Sequence, residues 1–279
     1  MGLLEKASLE SQIGNAPCTA EDTEEIFWLR EADDYQSRVT LGNALAGQYR
    51  FKDAICAYQS ALRIRRDDWT VFSRLAGAYL TIRRFAEAKE QYERCLAIGA
   101  DPKAVALPIG VWHYLKGEYS TAADWFAKCL PCGDEMAIAV IYWHTLCRYR
   151  ICGEPDLLPM YRREMHAGHH TAYQLAVSVF CGDVSWKDAA AEADQEPSEL
   201  NRVIALYGIC GYLRSVGETA KSTEFLQALL TYRTYWPCIA YLAAWNDAMP
   251  ARAHKIVRKH DSCLGLLAAS FNPAAKLPG

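Results

Sequence analysis

The chain is predicted to be all-α, an alpha-alpha superhelix (solenoid) of about six antiparallel helix pairs. Three observations carry that expectation. Segments starting at Tyr35, Trp69 and Lys103, each 34 residues after the last, superimpose without gaps. Within each segment apolar residues recur at three- and four-residue steps, the period of a helix with one buried face. Sustained two-residue alternation, the mark of a half-buried strand, is almost absent.

In chain order, residues 1–34 form an acidic capping segment, with nine carboxylates against Lys6 and Arg30. Residues 35–136 hold the three matched units. Leu41, Leu75 and Ile109 coincide in that register, as do Gly42, Ala76 and Gly110. Later in each unit come Phe51, Phe85 and Tyr119, then Ala54, Ala88 and Ala122, then Tyr58, Tyr92 and Phe126, then Ala61, Cys95 and Cys129. Two helices of about 12 to 14 residues per unit follow from the periodicity, split near Tyr49-Arg50, Arg83-Arg84 and Gly117-Glu118. Small residues recur because paired helices approach closely only where side chains are small, while an aromatic fills the wedge further out.

These positions resemble the tetratricopeptide repeat (TPR) family. Its pattern is Trp, Leu, Gly and Tyr on the first helix, then Ala, Phe, Ala and Pro on the second. Unit one matches with Leu41, Gly42, Ala54, Tyr58 and Ala61; unit two with Phe72, Leu75, Tyr79, Ala88 and Tyr92; unit three with Ile109, Gly110, Ala122 and Phe126. The closing Pro departs, being Arg66 in unit one and displaced to Pro102 after unit two.

Residues 137–200 read as degenerate helix pairs. Ala137–Arg150 supplies a first helix with Trp143 at the Leu position, but its partner from Asp156 is interrupted by Pro159. A helix from Ala172 ends at Gly182, and a short one follows with Ser185 as N-cap. Residues 201–250 return to a TPR-like unit, turning at Gly217, with a closing helix through Ile239, Leu242 and Trp245. The stretch from Ala172 to Tyr241 is similar to the C-terminal part of bacterial periplasmic or lipoprotein-type TPR proteins. Residues 251–279 are expected to form a basic helix and tail, with Arg252, Lys255, Arg258, Lys259 and Lys276 against Asp261.

Composition narrows the partners. Hydrophobic residues make up 51% of the 279, ample for a core, and the formal charge is -3, which disfavours nucleic acid as a partner. Arg63, Arg65, Arg66, Arg83 and Arg84 cluster across adjacent units, yet without a recurring base-reading pair they read as a solvated edge. No apolar run of signal-peptide or membrane-span length occurs, so a cytoplasmic protein with no membrane contact is expected. Eleven cysteines, odd in number and widely spaced, read as thiols, with Cys95 and Cys129 in the core.

The resemblance implies a concave groove lined by the first helices. The residues carried over to it are Asn43, Arg74, Leu107, Val111 and Tyr114, followed by Ile141, Tyr142, Thr145, Arg148 and Tyr149. Its first half is small and polar, its second apolar and aromatic, which suits a peptide with bulky side chains. Relatives that grip a chaperone's C-terminal carboxylate use a Lys-Asn pair. Here Asn43 and Arg74 match, but the Lys sites hold Val39 and Ser73, which argues against that clamp.

Two strings could carry chemistry. Cys129-Leu-Pro-Cys132 has dithiol spacing, but Cys129 falls near a helix C-terminus, where the dipole disfavours thiolate. His166-Ala-Gly-His169-His170, with Cys147, Cys152 and Glu164 nearby, could hold zinc only if three or more converged; at a helix C-terminus it reads as an exposed cap. His113 and His144 read as core or groove histidines. No P-loop, dinucleotide-binding, metalloprotease or nucleophile-elbow motif occurs. The expectation is therefore a non-catalytic protein-interaction module or assembly adaptor with no cofactor, its partner another protein or peptide. Alternatives are a metal-binding or enzymatic protein using the His166–His170 region, or a structural self-associating protein; homo-oligomerisation stays open.

Overall fold

A computed structural model describes residues 22–248. Residues 1–21 and the basic helix and tail expected at 251–279 lie outside the described residues. Every regular element among the described residues is helical. The chain divides into two compact units, residues 22–132 with 236–243, and residues 133–235 with 244–248.

The first unit opens with α1 (Glu24–Glu31), followed by three helix pairs: α2 (Tyr35–Gly47) with α3 (Phe51–Ile64), α4 (Trp69–Thr81) with α5 (Phe85–Ala97), and α6 (Pro102–Leu115) with α7 (Tyr119–Ala127). Each helix packs on the next in chain order. The same local devices recur in each pair. An aspartate caps each first helix: Asp34 accepts from the Ser37 N–H, Asp68 from Thr70 and Asp101 from Lys103. Asp68 also accepts from the hydroxyl of Tyr35, one repeat earlier, at 2.6 Å. Burial alone would raise its carboxyl, but bonds from Thr70 and Tyr35 hold it at about 2.

The turns inside the pairs are equally regular. Tyr49, Arg83 and Gly117 adopt left-handed backbone at φ 63°, 64° and 78°. The next residue's N–H bonds back to a carbonyl of the finished helix, Arg50 to Leu45, Arg84 to Tyr79 and Glu118 to His113. This left-handed closure stops the first helix and aims the chain into the second. The predicted split points fall at these turns.

Within the pairs, the small and aromatic positions meet directly. A Cβ on Gly42 would lie 2.4 Å from the Tyr58 ring, and one on Gly110 would lie 2.6 Å from the Phe126 ring. The expected arrangement, small residues facing one another with the aromatic further out, is thus replaced by the ring of the second helix packing directly against the glycine of the first. Ala54, Ala76, Ala88 and Ala122 are fully buried. Between pairs, the Trp112 indole donates to the Phe85 carbonyl at 2.9 Å. Residues 35–127 are therefore three helix pairs packed in chain order.

The second unit comprises α8 (Asp134–Arg150), α9 (Thr171–Cys181), α10 (Trp186–Gln195), α11 (Glu199–Ser215), α12 (Thr219–Leu229) and the end of α13 (Ile239–Ala248). Ser185 caps α10, Gly182 closes α9 in left-handed backbone, and Gly217 does the same between α11 and α12. These match the expected punctuation. The partner helix expected for α8 is absent, because Pro155, Pro159 and the left-handed Gly168 leave turns and one short 3-10 segment, Leu158–Met160. α8 is instead packed by α9 and α11. Ala137 through Cys147 are buried without a break, so this helix has no outward face over three turns. Close approach comes from glycines on α11. A Cβ on Gly208 would meet Ala176 at 2.5 Å and Tyr142 at 2.7 Å, and one on Gly211 would meet Leu146 at 2.2 Å.

Candidate functional site

Asn43 and Arg74 are exposed on consecutive first helices, α2 and α4. Asn43 is oriented from below. Gly42 leaves room for the Tyr58 ring, whose hydroxyl donates to Asn43 Oδ1 at 2.9 Å, and Arg74 Nη1 donates to the same oxygen at 3.3 Å. Burial pushes the Tyr58 hydroxyl pKa up, with Arg74 opposing, so it stays a donor at neutral pH. With Oδ1 accepting from Tyr58 and Arg74, the exposed Asn43 keeps its amide NH₂ as a donor beside a guanidinium. Together they can meet a carboxylate or a peptide carbonyl.

The rest of this face is small and open. Thr40, Thr70 and Ser73 are half-buried, Gln36 donates weakly to Thr40 at 3.5 Å, and Gly77 has nothing within 4 Å of where a Cβ would stand. On α6, Ala104 is exposed and Leu107 and Pro108 are half-buried. Pro108 lies inside the helix and has no N–H to give the Ala104 carbonyl, which leaves an acceptor beside the apolar residues.

The second half of the expected groove is different. Val111 and Tyr114 are buried, Tyr114 edge-on to Tyr119 at 5.2 Å. Ile141, Tyr142 and Thr145 are fully buried. The Tyr142 hydroxyl donates to the Ile204 carbonyl at 2.9 Å, and its ring meets Tyr173 and Phe180. Tyr149 packs edge-on against Phe180 at 5.6 Å, and burial drives its hydroxyl pKa far upward. Arg148 donates to the Glu154 carbonyl at 2.6 Å and pairs with Asp156 at 3.5 Å, holding the loop after α8. The expected apolar strip through Ile141, Tyr142, Thr145, Arg148 and Tyr149 is thus corrected. These side chains form the interior and a loop brace of the second unit, because α9 and α11 cover α8.

The histidine run lies before α9 and not at a helix C-terminus, with His170 at the N-cap position. Its backbone is tied to the first turn of α8: the N–H of His169 donates to Glu135 Oε1 at 2.8 Å and that of His166 to Asp134 at 3.3 Å, while His170 Nδ1 lies 2.7 Å from the Glu135 carbonyl. No group of three or more His, Cys, Asp or Glu able to hold a metal ion exists among the described residues. His113 bonds Glu118 at 2.6 Å, and buried His144 lies 3.5 Å from Asp156. Cys129 is buried and Cys132 exposed; burial pushes the Cys129 thiol to about 11, away from a reactive thiolate. Cys95 is buried, its thiol likewise pushed to about 11. Arg65 and Arg84 pair with Asp68 and Glu87, which leaves less of the arginine edge for nucleic acid. No described helix is long and apolar enough to cross a membrane.

Sequence reasoning missed one polar cluster. Asp247 on α13 is buried and accepts from Arg150, from Arg214 at 3.3 Å and from the Tyr207 hydroxyl at 3.2 Å. Burial would raise its carboxyl, but the two arginines hold it below the ordinary carboxylate range. The partners are 33 to 97 residues away, so no local spacing announces them. A surface depression of about 550 Å³ beside Glu154, Asp156, Leu158, Arg163 and Cys181 was also not foreseen; it mixes both charge signs.

No protein-family model matches the chain, and no curated protein matches its sequence. Among solved structures the chain is similar to YrrB, a TPR protein with an unusual peptide-binding site, at 14% identity and a TM-score of 0.43, over 81% of this chain and 99% of that one.

Proposed function

We propose that the chain is a non-catalytic interaction module, an assembly adaptor whose first-helix face in residues 35–115 binds an extended segment of another protein. The observation that carries this reading is the exposed Asn43–Arg74 pair, fixed by Tyr58, with the half-buried Leu107 and Pro108 on the next first helix. Donors at one place and apolar surface one repeat further along suit a segment with a carboxylate or free carbonyl followed by an aliphatic side chain. The groove is shorter than the resemblance implied. It engages Asn43, Arg74 and Leu107, and leaves Val111, Tyr114 and the residues of α8 to packing. The free thiols among the described residues favour a reducing cytoplasm as its location.

The test is photo-crosslinking from residue 73 or 107 in the native host, with partners identified by mass spectrometry. A partner held by the wild-type chain and weakened about tenfold or more by Arg74→Ala or Asn43→Ala, with unchanged thermal stability, supports the reading. Equal capture by both variants defeats it.

A further inference from the structure

Among the described residues the first unit opens with α1, whose sequence EEIFWLRE sets four apolar residues in succession, more than one helical face can bury. Ile26 is fully buried in the unit, where α1 packs on α2. Trp28 and Phe27 are 63% and 53% exposed, their rings edge-on 5.6 Å apart. A helix at the surface ordinarily presents a polar outer face. This one presents two large aromatic side chains.

The surroundings are acidic. Glu24, Glu25 and Glu31 are exposed, while Arg30 pairs with Asp22 at 2.7 Å and Arg38 with Asp33 at 2.5 Å. An occupant should therefore be apolar and positively charged. Residues 1–21 hold Glu5, Glu10 and Glu21 against Lys6, the same sign as the patch. Residues 252–259, ARAHKIVRKH being their context, hold Arg252, Lys255, Arg258 and Lys259 together with Ile256 and Val257.

We propose that α1 of one copy receives the basic segment 252–259 of a second copy, joining chains head to tail. The apolar residues of that segment cover Phe27 and Trp28, and its cations face Glu24, Glu25 and Glu31. The contact joins two different surfaces, so a pair still has one free acceptor and one free donor, and growth does not stop at a dimer.

Sedimentation velocity on the full chain tests this, over a concentration series at about 50 mM and about 500 mM salt. The expected result is a mass that rises with concentration at low salt, with apparent affinity about tenfold weaker at high salt. Phe27→Ser with Trp28→Ser removes the acceptor without touching a buried side chain. Lys255→Glu, Arg258→Glu and Lys259→Glu together reverse the donor. Each variant alone should be monomeric with an unchanged circular dichroism spectrum, and an equimolar mixture should form a one-to-one dimer and nothing larger. A monomer at every concentration, including one whose own tail covers α1, overturns the proposal. So does association that survives the loss of Phe27 and Trp28, or a mixture that does not pair.

Discussion

Residues 35–127 and residues 133–248 both use glycine to bring helices close, but over very different distances along the chain. In the first region Gly42 receives the ring of Tyr58, and Gly110 that of Phe126, in each case the partner helix of the same pair. In the second, Gly208 receives Tyr142, and Gly211 receives Leu146, both from a helix more than sixty residues earlier. The first arrangement leaves each first helix with one face free of the pair contact, where Asn43, Arg74 and Leu107 stand. The second surrounds α8 on all sides. The proposed interaction surface lies on the region that closes its contacts locally, and the region with long-range closure holds its aromatic residues inside.

The largest expected effect tests the long-range side of that contrast. Asp247→Ala removes the buried carboxylate shared by Arg150 and Arg214 and should cost about 3 to 5 kcal/mol, read by urea unfolding. The folded carboxyl titrates below its unfolded value, so its contribution is fully present above about pH 4 and is lost as pH falls through the folded pKa. Asp247→Asn should remove that part of the acid dependence; an acid-unfolding profile identical to wild type would mean the cluster contributes nothing.

Tyr142→Ala comes next. It empties a fully buried site and should cost about 3 to 5 kcal/mol, with partner affinity per folded molecule unchanged. Loss of affinity without loss of stability would return Tyr142 to the binding face and erase the contrast.

The local side is probed by Gly110→Leu, which must displace the Phe126 ring and should cost about 1 to 3 kcal/mol. Gly77→Ala, with open space at its Cβ, should instead be neutral or gain up to about 1 kcal/mol from helix propensity. Equal denaturation midpoints for the two variants would break the register.

The smallest effect sharpens the comparison among the repeats themselves. Position 43 in the first repeat corresponds to Gly77 in the second and Val111 in the third. Tyr58 therefore has Asn43 to donate to, Phe126 needs no acceptor, and the Tyr92 hydroxyl is buried with no partner among the described residues. Tyr58→Phe should lose about 1 kcal/mol and Tyr92→Phe should lose nothing or gain up to about 1 kcal/mol, measured by paired thermal melts. Matching losses would show that Tyr92 has found an acceptor.

The 34-residue period located α2 through α7 because the contacts that define them lie within one repeat. The splits read at Tyr49, Arg83 and Gly117 are the left-handed residues of the observed turns. The same reasoning misplaced the groove beyond Leu107. It extended the family's outward face to α8, whereas what covers Tyr142 is α9 and α11, whose approach depends on Ala176 and Gly208, far away in sequence. Asn43 and Arg74 were legible from register alone, but the Tyr58 hydroxyl that orients Asn43 was read only as a packing wedge. Asp247 gave no signal, since a lone carboxylate in a closing helix looks like any solvated one until Arg150 and Arg214 are brought to it.

The left-handed turns at 34-residue intervals also bear on how such a chain can be edited. Each pair carries its own aspartate cap, its own turn and its own ring-on-helix contact, so excising or duplicating one whole period would leave the internal grammar of the neighbouring pairs intact. No such cut exists between Gly133 and Ala248, where removing any helix strands a partner elsewhere. Insertions and losses accumulated over evolutionary time should therefore be counted in whole repeats before Cys132, and after it should be confined to the loop between Arg150 and Thr171.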